Sequence, residues 1–195
     1  RSILPLDPDD APDFDDAIHV ETLSGVDWEL GVHIADVSAY VTPGSALDRE
    51  ALKRGNSVYL ADRVIPMLPE RLSNGVCSLN PHVVRLTHSA FILFAKNGAP
   101  KSARSARTII QSDHRLTYRE AYAILQKPPN DKLEEQAHTA WSLAATFRKR
   151  PLAQGSPALE FPARIARDGR KTGKPLRLDR IENDESHQLV EEFML

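Results

Sequence analysis

The sequence predicts an α+β fold, mainly an antiparallel sheet with helices packed on it. Three observations carry that expectation. Alternating, β-rich stretches come early, at 17–21, 28–35, 87–95 and 103–112. Capped amphipathic stretches come late, after Thr117. The two kinds do not alternate as strand–helix–strand units, so a regular parallel array is not expected. The 195 residues suit one large domain or two small ones and can bury a real core.

Each element has its local reason. Ala17 to Glu21 and Trp28 to Ala35 alternate around the Gly25-Val26-Asp27 turn, which predicts a hairpin. Pro43-Gly44-Ser45 opens a helix with Ser45 as N-cap, and Gly55 stops it. Residues 56–82 read as a long irregular segment with a helical turn at Pro69-Glu70-Arg71-Leu72. Thr87 to Ala95 and Ala103 to Ser112 form a second hairpin across Asn97-Gly98. Thr117, with Glu120 at the capping-box offset, starts a helix to about Gln126, and Lys127-Pro128-Pro129 ends it. A longer helix spans Asp131 to Leu152. Leu159-Glu160-Phe161 and Leu176-Arg177-Leu178 read as short strands around Arg167-Asp168-Gly169-Arg170, and a last helix begins near Asp184.

Hydrophobic residues make up 41% and charged residues 27%, an ordinary soluble composition. Cys77 is the single cysteine, so no disulfide framework exists and a reducing, cytoplasmic setting is expected. No apolar run reaches the ~18 residues of a membrane span. The charge is segregated. Residues 2–48 hold eleven Asp and Glu and no Lys or Arg, while 18 of the 25 Lys and Arg lie from Lys96 onward. An acidic first quarter and a basic remainder suit a metal site facing a polyanion, and chance segregation onto opposite faces is the plain alternative.

The acidic quarter centres on Leu6-Asp7-Pro8-Asp9-Asp10-Ala11-Pro12-Asp13-Phe14-Asp15-Asp16-Ala17, with six aspartates in ten residues. Carboxylates that close repel one another unless a cation sits among them. An EF-hand register starting at Asp7 fails, because Ala11 and Pro12 occupy the fifth and sixth positions. Zinc would want His or Cys, and the loop has neither. One or two Mg2+ ions suit an all-oxygen cluster. Pro8 and Pro12 restrict the backbone between the acids. The alternative is a surface acidic turn.

The motif Leu6-Asp7-Pro8 with Asp13-Phe14-Asp15-Asp16-Ala17 resembles the signature of the ribonuclease II and ribonuclease R family, whose shared catalytic domain is called RNB. The resemblance continues in His33 to Ser38, Arg54 to Leu60, Arg63 to Glu70, Cys77 to Pro81 and His187 to Leu195, and its wording is nearer ribonuclease R. It implies an RNB-type fold and a 3′→5′ hydrolytic exoribonuclease that takes single-stranded RNA to nucleoside 5′-monophosphates. It implies that Asp7, Asp13, Asp15 and Asp16 bind Mg2+ and support the attacking water, and that Tyr59 packs on the 3′-terminal nucleotide. It further implies that Tyr118 is a second RNA-contacting tyrosine and that Glu191 or Glu192 contacts the terminal ribose. Asp9 and Asp10 receive no role.

Bland readings stand beside several of these. Tyr59 and Tyr118 could be packing residues, and Glu191 and Glu192 exposed helix charge. Phe161 is expected to be core more than stacking platform. Arg104, Arg107, Arg115, Arg148 to Arg150 and the run from Arg164 to Arg180 are candidates for an RNA channel, several of them simply surface charge. His33 and Asp36 read as satisfied structural residues at a strand end, and Cys77 as a buried small residue. Two rival functions are a non-catalytic RNA-binding relative and an acidic module for a basic protein partner. The first motif begins by residue 7 and the last residues read as a helix in progress. Residues 1–195 are therefore expected to be a catalytic domain lacking its C-terminal part, and inactive alone. Family members carry cold-shock-type and S1-type RNA-binding domains and a late arginine, none within this sequence. The expected assembly is a monomer.

Overall fold

The computed structural model describes residues 3–7, 14–23, 27–60, 63–153, 164–169, 174–180 and 184–194. In chain order the elements are β1 (Leu6–Asp7), β2 (Asp16–Thr22), β3 (Trp28–Ala35), α1 (Ala46–Arg54), β4 (Val58–Tyr59), β5 (Val64–Ile65), β6 (Val84–Phe94) and β7 (Pro100–Gln111). They continue with β8 (Leu116–Thr117), α2 (Tyr118–Leu125), α3 (Lys132–Ala153), β9 (Arg164–Gly169), β10 (Lys174–Arg180) and α4 (Glu185–Met194).

The two expected hairpins join into one four-stranded antiparallel sheet in the order β2-β3-β6-β7. Period-two alternation gives this sheet two unlike faces. On one face Ile18, Val20, Leu30 and Phe94 pack against Ala121 and Ile124 of α2, Ala137, Ala140, Leu143 and Ala144 of α3, and Leu189 and Phe193 of α4. The small residues of α3 let that helix lie close, and Gln136 Nε2 donates to the Val20 carbonyl at 2.6 Å. A second, smaller cluster gathers Ile3, Phe14, Ala17, Ala35, Cys77, Leu79 and Ile110.

The helix caps fall where the sequence places them. Ser45 Oγ accepts from Asp48 N–H at 3.2 Å, and Gly55 closes α1 at φ +76°. Thr117 and Glu120 form the full capping box of α2. Asp184 caps α4, accepting from Ser186 N–H at 3.0 Å.

Three expectations change. Residues 56–82 are not wholly irregular: β4 pairs antiparallel with β5 across a short turn. The turn at Pro69 to Leu72 leads into a widened helical segment over 71–76, where Cys77 N–H donates to the Leu72 carbonyl at 2.9 Å. The proposed turn at Arg167 to Arg170 is instead strand through Gly169, which pairs with Lys174. The short strand expected at Leu159 to Phe161 lies outside the described residues.

Candidate active site

The aspartate stretch is held at both ends by main-chain bonds. Leu4 and Ile18 exchange N–H···O bonds of 2.8 and 3.0 Å, which closes the stretch into a loop. On the entry side β1 pairs in parallel with β8, setting Asp7 opposite Thr117. On the exit side Asp16 opens β2 opposite Ile34, and the Asp15 carbonyl accepts Ala35 N–H at 2.9 Å. Phe14 is the inner anchor. Its N–H donates to Ser78 Oγ at 3.0 Å, its carbonyl takes Leu79 N–H at 2.7 Å, and its buried ring lies 4.2 Å under the Arg115 guanidinium. An apolar residue amid acids thus fixes the loop to the motif Cys77-Ser78-Leu79.

Asp15 is exposed and Asp16 half-buried. Burial pushes the Asp16 carboxyl above the usual carboxylate range, against a lowering hydrogen bond from its own main chain. Burial, with the Asp15 carboxylate adding to it, pushes the Cys77 thiol up, as befits a buried small residue. Asp13, like Asp9 and Asp10, lies outside the described residues, and for Asp7 only the main chain is described. Among the described residues no three acidic, His or Cys side chains are grouped to hold a metal.

The other candidate residues lie on separate elements. Tyr59 stands out at 64% exposure on the β4–β5 hairpin, beside exposed Val58, Leu60, Val64 and Ile65. Tyr118 directly follows the Thr117 that faces Asp7, is half-buried against the main core, and lies tilted against His187 with ring centroids 4.3 Å apart. On α4 the two glutamates part company. Glu191 is exposed, whereas half-buried Glu192 faces Arg148 at 3.9 Å. Burial and the Glu191 charge raise the Glu192 carboxyl, with Arg148 opposing them. Phe161 lies outside the described residues, as do the side chains of Arg150 and of Arg164 to Arg180.

The described arginines have separate partners. Arg104 lies 3.8 Å over the Phe91 ring. Arg107 pairs with Asp36 at 3.5 Å and donates to Ser38 Oγ at 3.3 Å. The Ser38 hydroxyl, then Arg107, hold the Asp36 carboxyl below its usual range against its burial. Asp36 and His33 are buried and hydrogen-bonded, as the structural reading has it. Sequence reasoning missed what His33 bonds to. His19 Nδ1 and His33 Nε2 share a hydrogen bond of 2.8 Å, and His33 Nδ1 bonds Ser89 Oγ at 2.7 Å. Hairpin register was the available signal, since it puts residues 19 and 33 on one face as diagonal neighbours.

An antiparallel sheet with a helical layer on one face, its first strand opening at Asp16, defines an α+β domain. The chain belongs to the RNB family: the RNB domain matches residues 1–195. Ribonuclease R of Chlamydia trachomatis is 40% identical over 191 residues, covering 97% of this chain and 27% of that protein. The structure of Mycoplasma genitalium RNase R in complex with ribose-methylated single-stranded RNA superposes with a TM-score of 0.90 at 29% identity, over 99% of this chain and 30% of that one. Yeast Ssd1, described as a pseudonuclease, shares the fold at a TM-score of 0.68 and 22% identity, over 78% of this chain and 18% of that one. The chain thus spans between a quarter and a third of the length of its ribonuclease R relatives. Among the described residues no helix is long and apolar enough to cross a membrane.

Proposed function

We propose that residues 1–195 are the N-terminal part of the catalytic domain of a 3′→5′ hydrolytic exoribonuclease. The full-length protein degrades single-stranded RNA to nucleoside 5′-monophosphates. The observation that carries this reading is the aspartate loop, clamped by Phe14 and opened outward at Asp15, in a chain of the RNB family.

The donor set fits a hard divalent cation, Mg2+, held by Asp7, Asp13, Asp15 and Asp16. All four side chains offer oxygen, and Asp16, pushed towards its neutral form by burial, is a carboxyl that a neighbouring cation would return to the charged form. When bound, Mg2+ polarises water and phosphate oxygen for in-line displacement. The chain's own residues do the rest. Tyr59 offers an exposed ring on which any base can stack, as a degradative enzyme requires. Tyr118, next to the residue facing Asp7, contacts the nucleotide nearest the acids. Glu191 or Glu192 takes the ribose 2′-hydroxyl, which selects RNA over DNA. The protein is cytoplasmic and monomeric in this reading, with cold-shock-type and S1-type domains outside residues 1–195.

A non-catalytic RNA-binding relative is the second reading, favoured by the pseudonuclease description of a protein with this fold. The retained aspartates argue against it. Asp15→Asn in the full-length protein decides. Stepwise shortening of a 5′-labelled oligoribonucleotide is expected to vanish while RNA binding by filter retention persists. Undiminished turnover removes the aspartate assignment, and a wild type without turnover leaves the non-catalytic reading.

A further inference from the structure

Asp184 does more than cap α4. Its Oδ1 accepts from Ser186 N–H at 3.0 Å, Ser186 Oγ at 2.5 Å, His187 N–H at 3.3 Å and His187 Nδ1 at 2.8 Å. Burial raises the Asp184 carboxyl, yet the hydrogen bonds from Ser186 and His187 outweigh it and hold the group below its usual range. A carboxylate at that oxygen requires the proton on His187 Nδ1. The ring is therefore fixed in tautomer and in plane. That fixed ring lies tilted against Tyr118 at a centroid distance of 4.3 Å and an interplanar angle of 31°. Tyr118 is the first residue of α2, immediately after the strand that sets Asp7. Glu191 lies four residues after His187, on the same face of α4.

We propose that His187, held by Asp184, is a positioning residue for Tyr118 and sets the plane in which that ring meets the RNA. This rests on the exoribonuclease reading above. Tyr118 is only half-buried against the core, so without that backing its ring would keep freedom to tilt and lose it on each binding event. Backing it with a locked imidazole removes the loss in advance.

The test uses the full-length protein and a short oligoadenylate substrate. His187→Ala is expected to raise KM roughly three- to tenfold with kcat unchanged, the size of one side chain's ordering cost. His187→Phe keeps a stackable ring and should lie closer to wild type. His187→Asn keeps a donor for Asp184 without the ring and should behave like His187→Ala. In a Tyr118→Ala background, His187→Ala should add nothing further. Unchanged KM in His187→Ala, a Phe variant as weak as the Asn variant, or losses that add in full overturn the proposal. Where His187→Ala is too unstable to purify, the Phe and Asn pair decides alone. If wild type turns over RNA and Asp15→Asn does not, failure here leaves the proposed function standing.

Discussion

The β2–β3 hairpin carries two polar stations that the protein treats in opposite ways. At one end, Asp15 and Asp16 are fixed through the main chain: Asp15 by its carbonyl to Ala35, Asp16 by pairing with Ile34. Their side chains remain exposed or half-buried. One turn of the strand further in, His19 and His33 are buried and close on each other, their rings 5.1 Å apart and edged by Phe91. From there Ser89 Oγ, Thr87 Oγ1 and Thr108 Oγ1 extend the network at 2.5 to 3.2 Å. Structural polar groups here bond side chain to side chain. The candidate catalytic ones are held by backbone and keep their chemistry facing outward. Buried polar groups stabilise only when satisfied, so the histidine station serves the fold, while the proposed function leaves the aspartate station for a ligand.

Three changes separate the stations, in falling order of effect. A Cβ on Gly31 would collide with the His19 ring. Gly31→Ala should therefore cost about 3 kcal/mol by overpacking, read from a urea melt. An unshifted midpoint would mean that the histidine pair yields and is not a fixed structural unit. Tyr59→Ala, at an exposed ring, should leave the melt unchanged and weaken RNA binding roughly tenfold. A matching fall in stability would place Tyr59 with the structural residues instead. Asp16→Asn is the smallest. Because burial raises this carboxyl in the folded state, its contribution to stability is present below the ordinary carboxylate range and lost as pH rises through the raised value. In chelator at neutral pH the Asn variant should thus melt roughly 1–3 °C higher than wild type, while losing turnover. A lower melting temperature would show that the charged form is already stabilised without a metal.

Much of this was legible from local chemistry. Both hairpins follow from alternation and from the Asn97-Gly98 turn, and the caps at Ser45 and Thr117 follow from a hydroxyl residue just before each helix. Strand ends were less legible. β6 starts at Val84 because Val84 and Leu86 continue its pairing with β7, beyond the stretch whose apolar content marks it. The two-residue strands β1, β4, β5 and β8 are too short for any period to show. The four acidic positions stood out by composition and resemblance. The hold on them did not, since Phe14 meets Ser78 and Leu79, and Asp7 meets Thr117, only through contacts distant in the chain. The β9–β10 hairpin was misplaced because Asp168-Gly169 has turn chemistry, yet the pairing continues through Gly169.

The parallel pairing of β1 with β8 also has a consequence in time. It joins residues about 110 positions apart, Leu6 with Leu116 and Asp7 with Thr117. At roughly 10 residues per second, a ribosome makes β8 on the order of ten seconds after β1. The entry to the acidic loop therefore waits for a partner made long after it. Closing so long a loop is also among the slower events of folding. The main-chain hold on Asp7 is thus a late event compared with the β2–β3 hairpin, whose two strands are made within seconds of each other.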